Sequence, residues 1–296
     1  MLAIDHISKR FGDKVVLDEL TFAVQPGELF GFCGANGSGK TTTMRIILGL
    51  LKADRGEVLW NGSPINADVR QAIGYMPEER GLYPKMRPAE QLAYFAQLHG
   101  LDAAEAQRSA DYWMERLGVK FEPKDTLEKL SLGNQQKVQM AAALVHDPKI
   151  LVLDEPFSGL DPVAVDALLD ALTEKAHAGV PVIFSSHQLD LVERLCDAVG
   201  IISNGRMVAS GSVQSLRARE ARRQLIISIA GLQPGWSRGL PYVSDTEEKG
   251  DTAIVTLSDP ERSNQVLQAA MALGPIEQFG WKSPTLTEIF REAVAA

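Results

Sequence analysis

Residues 34–42 read Gly34-Ala35-Asn36-Gly37-Ser38-Gly39-Lys40-Thr41-Thr42 and fill the pattern G-x-x-x-x-G-K-[ST] without a mismatch. The pattern leaves few folds open, because it works only between a buried strand and a helix. Leu29-Phe30-Gly31-Phe32-Cys33 supplies the strand. The helix is expected from Thr42 to about Leu51, with Met44, Ile47, Leu48 and Leu51 as its apolar positions. Small residues let successive backbone N–H groups face phosphate oxygens that any Cβ would crowd. Lys40 puts a full positive charge near the β- and γ-phosphates, and the Thr41 hydroxyl suits Mg²⁺. The helix directs its positive dipole end at the same phosphates. The stretch implies a bound nucleoside triphosphate, but unrelated NTPases share it, so it names no family.

With 296 residues the chain has room for one large domain and a small appendix. Hydrophobic residues at 45% and charged ones at 23% fit an ordinary soluble globular protein. A formal net charge of −8 argues against a general nucleic-acid binder, whose affinity comes from basic surface displacing counterions. Two cysteines, Cys33 and Cys196, are too few for a disulfide framework, so a reducing cytosol is the expectation. No leader pattern opens the sequence, and no apolar run reaches the roughly 18 residues of a membrane span. Any membrane role is therefore expected through a partner.

Leu2–Ile7 and Val15–Phe22 alternate as antiparallel strands around Gly12-Asp13, with Phe11 beside the turn. An aromatic there either stacks on a purine base or packs against the hairpin. Gly56–Trp60 is a strand closed by Asn61-Gly62, and Ile73–Pro77 is another, ending at Glu78. From Pro88 to Gly118 the pattern is helical, with Leu92, Phe95, Ala96 and Leu98 on one face and Trp113, Met114 and Leu117 on a second helix. Leu130-Ser131-Leu132-Gly133-Asn134-Gln135 precedes a helix through Val138, Met140, Ala141, Leu144 and Val145. It reads as a helix start capped by Ser131 or Asn134, or as exposed N–H groups that a phosphate approaches. Ile150–Leu153 is a continuous apolar run ending in Asp154-Glu155, as for a parallel strand buried on both faces with acids at its ligand-binding end. Ser158–Asp161 is a tight loop before a helix carrying Val165, Leu168, Leu169 and Leu172. Val182–Ser186 repeats the buried strand and ends at His187, and Val199–Ile202 with Met207–Ala209 form a hairpin around Asn204-Gly205.

Taken together, in this order, the motifs resemble the ATP-binding subunit of ABC transporters. The resemblance implies an α/β P-loop NTPase of the ABC ATPase type: a RecA-like core, an antiparallel β subdomain and a helical insertion of about 86–145, within 1–215. It makes Gly34–Thr42 the ATP-binding Walker A loop and Ile150–Glu155 the Walker B strand, with Asp154 on Mg²⁺ beside Thr41. Glu155 becomes the general base on the attacking water and His187 the switch histidine at the γ-phosphate. Lys40 joins them in catalysis, Asp161 lies in the D-loop, and Phe11 stacks on adenine. Leu130–Gln135 resembles the signature whose Ser131, Gly133 and Gln135 bind ATP held by a second protomer, with Leu132 where the family has glycine. Glu78 stands where the family has a glutamine, and its carboxylate is expected to reach Mg²⁺ or water. The cofactors implied are ATP and Mg²⁺.

Beyond 215 the text changes. Arg217, Arg219, Arg222 and Arg223, interrupted by Glu220, read as a solvated helix end before a linker, ahead of the alternative of a lipid- or RNA-facing patch. Gln224–Ile229 and Thr252–Leu257 alternate as strands, a helix is expected over Arg262–Leu273 and a strand near Pro275–Phe279. Thr285-Leu286-Thr287-Glu288 is a capping box opening a helix with Leu286, Ile289, Phe290 and Val294 on one stripe. This makes 224–296 a small α+β appendix. It resembles, with Pro77–Leu82 and Ser283–Phe290, the ATPase subunits of two-component bacterial exporters for sodium extrusion and antibiotic resistance. The resemblance implies a homodimer and a separate integral-membrane permease, with the chain cytoplasmic and peripheral on the inner membrane face. The alternative is a non-transport ABC ATPase acting on ribosomes or nucleic acid. Those proteins generally carry two nucleotide-binding domains or a long coiled-coil insertion, and this sequence has neither.

Overall fold

The computed structural model describes residues 1–79, 81–220, 224–232, 235–282 and 285–295. The chain divides into two compact units, Met1–Ser212 and Val213–Ala296.

The first unit holds two sheets. In chain order its strands are β1 (Leu2–Phe11), β2 (Lys14–Val24), β3 (Leu29–Cys33), β4 (Arg55–Trp60), β5 (Ser63–Pro64), β6 (Ile73–Met76), β7 (Ile150–Leu153), β8 (Val182–Ser186), β9 (Ala198–Ser203) and β10 (Arg206–Ser212). One sheet is ordered β10-β9-β3-β8-β7-β6 and is parallel apart from the β9–β10 hairpin. Every residue of β3, β7 and β8 is buried, so these short runs need no alternation. The second sheet, β2-β1-β4-β5, is antiparallel. The two sheets share one core, in which the Phe22 ring of β2 stacks at 5.2 Å on Phe30 and 5.1 Å on Phe32 of β3. Each phenylalanine buried there stabilises the unit by about 1.5–3 kcal/mol.

The helices are α1 (Lys40–Ile47), α2 (Ala67–Gln71), α3 (Pro88–Leu98), α4 (Ala103–Arg116), α5 (Leu132–Leu144), α6 (Pro162–His177) and α7 (Leu189–Leu195). Helix α1 starts earlier and stops sooner than its apolar pattern suggests. Gly49 takes φ +76°, its N–H bonds to Ile46 O, and Leu50 N–H bonds to Arg45 O, a cap that closes the last turn. Leu48 and Leu51 still pack on the core, from outside the helix. In the insertion, Asp102 and Glu105 form a reciprocal capping box at the start of α4. Leu92 and Ala96 of α3 are buried as expected, whereas Leu98, on the last turn, is exposed.

The second unit comprises α8 (Val213–Glu220), β11 (Gln224–Ile229), β12 (Val243–Lys249), β13 (Thr252–Leu257), α9 (Ser263–Met271), β14 (Ile276–Trp281) and α10 (Leu286–Ala295). Its antiparallel sheet runs β12-β13-β11-β14. Leu225, Ile227, Ile229, Ala253, Val255 and Leu257 share a core with Val266 and Ala270 of α9. Strand β12 was not anticipated. The capping box is present, with Thr285 Oγ1 accepting from Glu288 N–H and Glu288 Oε2 accepting from Thr285 N–H. Leu286 and Ile289 are buried. Arg222, Arg223, Ser283 and Pro284, and the side chains of Arg219, Glu220 and Val294, lie outside the described residues.

Candidate functional site

Strands β3, β8 and β7 are neighbours and parallel, so the segments leaving their carboxyl ends gather at one edge of the sheet. These segments are Gly34–Gly39, His187 and Asp154-Glu155. A cleft of about 290 Å³ opens there, lined by Asn36, Gly37, Gly39, Lys40, Thr41, Thr42, Glu78, Asp154 and Glu155, with Lys14 and Val16 from β2. Lys14 and Val16 were not anticipated, because nothing local in their sequence marks them. Phe11 is paired with Lys14 across the hairpin and is 51% exposed, with the Lys9 ammonium 5.6 Å from its ring centre. It is not among the described residues that line the cleft.

The loop is tied down at both ends. Gly39 sits at φ +116° at the N-terminus of α1, where a Cβ would lie 2.6 Å from Leu17 Cδ2. Thr43 Oγ1 donates to Gly39 O at 2.9 Å, and Gly205 N–H, in the β9–β10 turn, donates to Ser38 O at 3.1 Å. Lys40 is buried, and its ammonium donates to Gly34 O at 2.7 Å and Ala35 O at 3.3 Å. The Ser38 hydroxyl, also buried, has no hydrogen-bond partner among the described residues.

Asp154 is 1% exposed. Its Oδ1 accepts from the Ser185 hydroxyl at 2.5 Å, and its Oδ2 has no hydrogen-bond partner among the described residues. An orphaned buried carboxylate oxygen on a residue that lines the same cleft as Thr41 and Glu78 fits a hard cation such as Mg²⁺, which takes oxygen ligands from one or two protein groups and from phosphates. Glu155 follows at φ +50°, a left-handed backbone that costs any residue with a Cβ. Its N–H donates to Ser185 Oγ at 2.9 Å, and its Oε2 lies 2.9 Å from His187 Nδ1. The Glu155 side chain is 10% exposed and that of His187 54%. A mostly buried carboxylate paired with an open imidazole can orient a water molecule on one side and meet a phosphate on the other.

The loop carrying Glu78 is held from behind by Gln139 of α5, whose Nε2 donates to Pro77 O at 2.6 Å. Gln136, one helical turn earlier, donates to Pro156 O at 3.1 Å. Neither glutamine was singled out in the sequence; both act through backbone carbonyls distant in the chain. Ser131 caps α5, its Oγ accepting from Asn134 N–H, and Gln135 Nε2 donates to Leu130 O at 2.9 Å. Ser131 and Leu132 are exposed, Gly133 and Gln135 half-buried, and none is among the described residues lining the cleft. Asp161 caps α6, its Oδ1 accepting from Ala164 N–H at 2.9 Å.

Fold and cleft together define a P-loop NTPase. A family model described as "ABC transporter" matches residues 17–158, and one described as "ATP-binding protein DrrA1-3-like, C-terminal domain" matches residues 211–294. The ABC transporter ATP-binding protein YhaQ of Bacillus subtilis (strain 168) is 38% identical over 100% of this chain and 99% of its own. The Nod factor export ATP-binding protein I of Burkholderia thailandensis is 34% identical over 90% of each chain. The linearmycin resistance ATP-binding protein LnrL of Bacillus subtilis is 34% identical over 83% of this chain and 81% of its own. Among solved structures, an ATP-binding subunit of an ABC transporter superposes with a TM-score of 0.69 at 32% identity, covering 74% of this chain and 93% of its own. A dimeric bacterial ABC transporter cassette, at 21% identity and a TM-score of 0.65 over 72% of this chain and 99% of its own, shares the fold. The chain belongs to the ATP-binding subunits of ABC transporters, with a DrrA-like C-terminal domain. It is an ATPase.

Proposed function

We propose that the chain couples ATP hydrolysis to export, working as a homodimer around two ATP molecules against a separate permease at the inner face of the membrane. The observation that carries the dimer is the division of the motifs. Walker A and Walker B residues meet in one cleft, while Ser131, Gly133 and Gln135 stand apart at the exposed start of α5. Such a helix start binds phosphate well, and a second copy of the chain supplies the phosphate that this copy's cleft does not bring to it.

In this reading ATP lies along Gly34–Thr42, with Lys40 at the β- and γ-phosphates and Phe11 against the base. Thr41, Asp154 and Glu78 hold Mg²⁺, which supplies charge neutralisation at the phosphates. Glu155 takes the proton of the attacking water, and the His187 contact keeps its carboxylate aimed. Asp161 sits beside the nucleotide at the start of α6. Loss of the γ-phosphate removes the group shared by the two copies, and the pair opens.

Support for the permease comes from an apolar groove of about 260 Å³ beside the Glu78 loop, lined among others by Tyr75, Pro77, Leu82, Phe95 and His99. No helix among the described residues is long and apolar enough to cross a membrane. Support for export comes from relatives named for Nod factor export and linearmycin resistance, whose matches span 90% and 83% of this chain and so extend beyond its first unit. No observation favours the alternative of an ATPase acting on ribosomes or nucleic acid.

The test is the Glu155→Gln protein in saturating ATP and Mg²⁺. It is expected to elute as a dimer and to hydrolyse ATP far more slowly than the parent. A protein that stays monomeric, with or without a coexpressed permease, overturns the sandwich. Sedimentation with membranes only when the permease is present supports the coupling role.

A further inference from the structure

Ser185 is fully buried on β8, in a strand whose other residues are apolar except the neighbouring Ser186. The register pairs Leu153 with Phe184, which sets Ser185 beside Asp154. Its hydroxyl makes two bonds to two consecutive residues, donating to Asp154 Oδ1 at 2.5 Å and accepting from Glu155 N–H at 2.9 Å. A hydroxyl carries one proton, so the Glu155 N–H directs that proton to Asp154. With Oδ1 engaged, Oδ2 is left as the carboxylate's free oxygen. Glu155, at φ +50°, needs its surroundings to hold it in that backbone conformation, and the bond to Ser185 is one such restraint.

We propose that Ser185 is a positioning residue for ATP hydrolysis: one hydroxyl fixes the Asp154 carboxylate as a ligand through Oδ2 and pins the backbone of Glu155. The proposal rests on the reading of Asp154 as the Mg²⁺ ligand and Glu155 as the base. Groups that hold a metal ligand from behind are worth about 10–100-fold in metal affinity or activity.

The test uses the full chain and AMP-PNP, a non-hydrolysable ATP analogue, titrated with Mg²⁺ and again with EDTA. Ser185→Ala is expected to reduce the Mg²⁺-dependent gain in AMP-PNP affinity about tenfold. It is also expected to lower kcat for ATP while leaving the affinity in EDTA unchanged. Ser185→Thr, which keeps the hydroxyl on a strand that tolerates β-branching, is expected to restore both. Ser185→Cys, close in shape but a weak donor, takes the place of alanine should that variant not fold, and is expected to lose part of the gain. A Ser185→Ala or Ser185→Cys protein with a lowered Tm but the full Mg²⁺ gain and parental kcat overturns the proposal, because the hydroxyl would then serve packing alone. Asp154→Asn separates the two ways of failing. If it keeps the Mg²⁺ gain, the metal assignment is wrong and the proposal falls with it. If it loses the gain while Ser185→Ala does not, only the role of Ser185 is wrong.

Discussion

Replacing Glu155 by glycine and by alanine gives a comparison whose sign is set by the backbone. Both variants lose the carboxylate and the His187 contact, so those effects cancel between them. At φ +50° the alanine Cβ costs about 1–2 kcal/mol that glycine does not incur. Glycine, in turn, loses about 0.5–1 kcal/mol more conformational freedom on folding. The difference leaves the glycine variant more stable by about 0–1.5 kcal/mol, or about 0.75 kcal/mol at the midpoints of the two ranges. For a unit the size of Met1–Ser212 the midpoint difference corresponds to a Tm higher by about 1.5–3 °C. At an ordinary strand or helix position the order is the reverse, with alanine ahead. Parallel thermal scans and urea unfolding curves read the order directly, and both proteins should lack ATPase activity. An alanine variant more stable than the glycine variant, the order of an ordinary strand or helix position, refutes the left-handed conformation and with it the idea that Glu155 is held in strain.

Three other outcomes are expected. Asp161→Ala removes the cap of α6 and should lower stability by about 1 kcal/mol in urea unfolding. Burial holds His146 down at about pH 4, with the His99 ring stacked 3.7 Å away adding to the effect. The unfolded chain, with an ordinary histidine near pH 6.5, therefore takes up the proton first, so stability is intact above about pH 6.5 and falls as the pH drops toward about 4. His146→Gln should flatten that part of a plot of urea midpoint against pH. Burial also pushes the Cys33 thiol up to about 12 and Cys196 well above its ordinary value, so neither should react with iodoacetamide at neutral pH until the chain is unfolded in guanidinium.

The elements that local pattern and chemistry mark were legible in the sequence. The buried runs of β3, β7 and β8 and the turns at Gly12-Asp13, Asn61-Gly62 and Asn204-Gly205 carry their own signals, as does the loop at Gly34–Thr42. Strand β12 was missed because Ser-Asp-Thr-Glu-Glu-Lys, on a sheet edge, shows almost none of the apolar alternation that marks a strand. The end of α1 was misplaced because Leu48 and Leu51 keep the helical spacing after Gly49 has ended the helix. In the site, Lys14, Gln139 and Ser185 were invisible for a different reason. Lys14 lines a cleft built by residues far away in sequence, Gln139 and Ser185 bond to such residues, and a buried serine in a strand reads as neutral filler until the neighbouring strand is placed beside it. The left-handed conformation of Glu155 likewise has no signature in a residue type that normally avoids it.

The Lys40 ammonium already grips the Gly34 and Ala35 carbonyls of its own loop. An incoming triphosphate therefore does not meet a bare cation: two of the three ammonium N–H donors are given to protein oxygens, and a phosphate that takes more than the third must displace a carbonyl already in place. Any phosphate bond beyond the first is a swap of one partner for another. The same clasp gives the loop a resting shape, so that releasing ADP need not leave a charged side chain stranded in the interior.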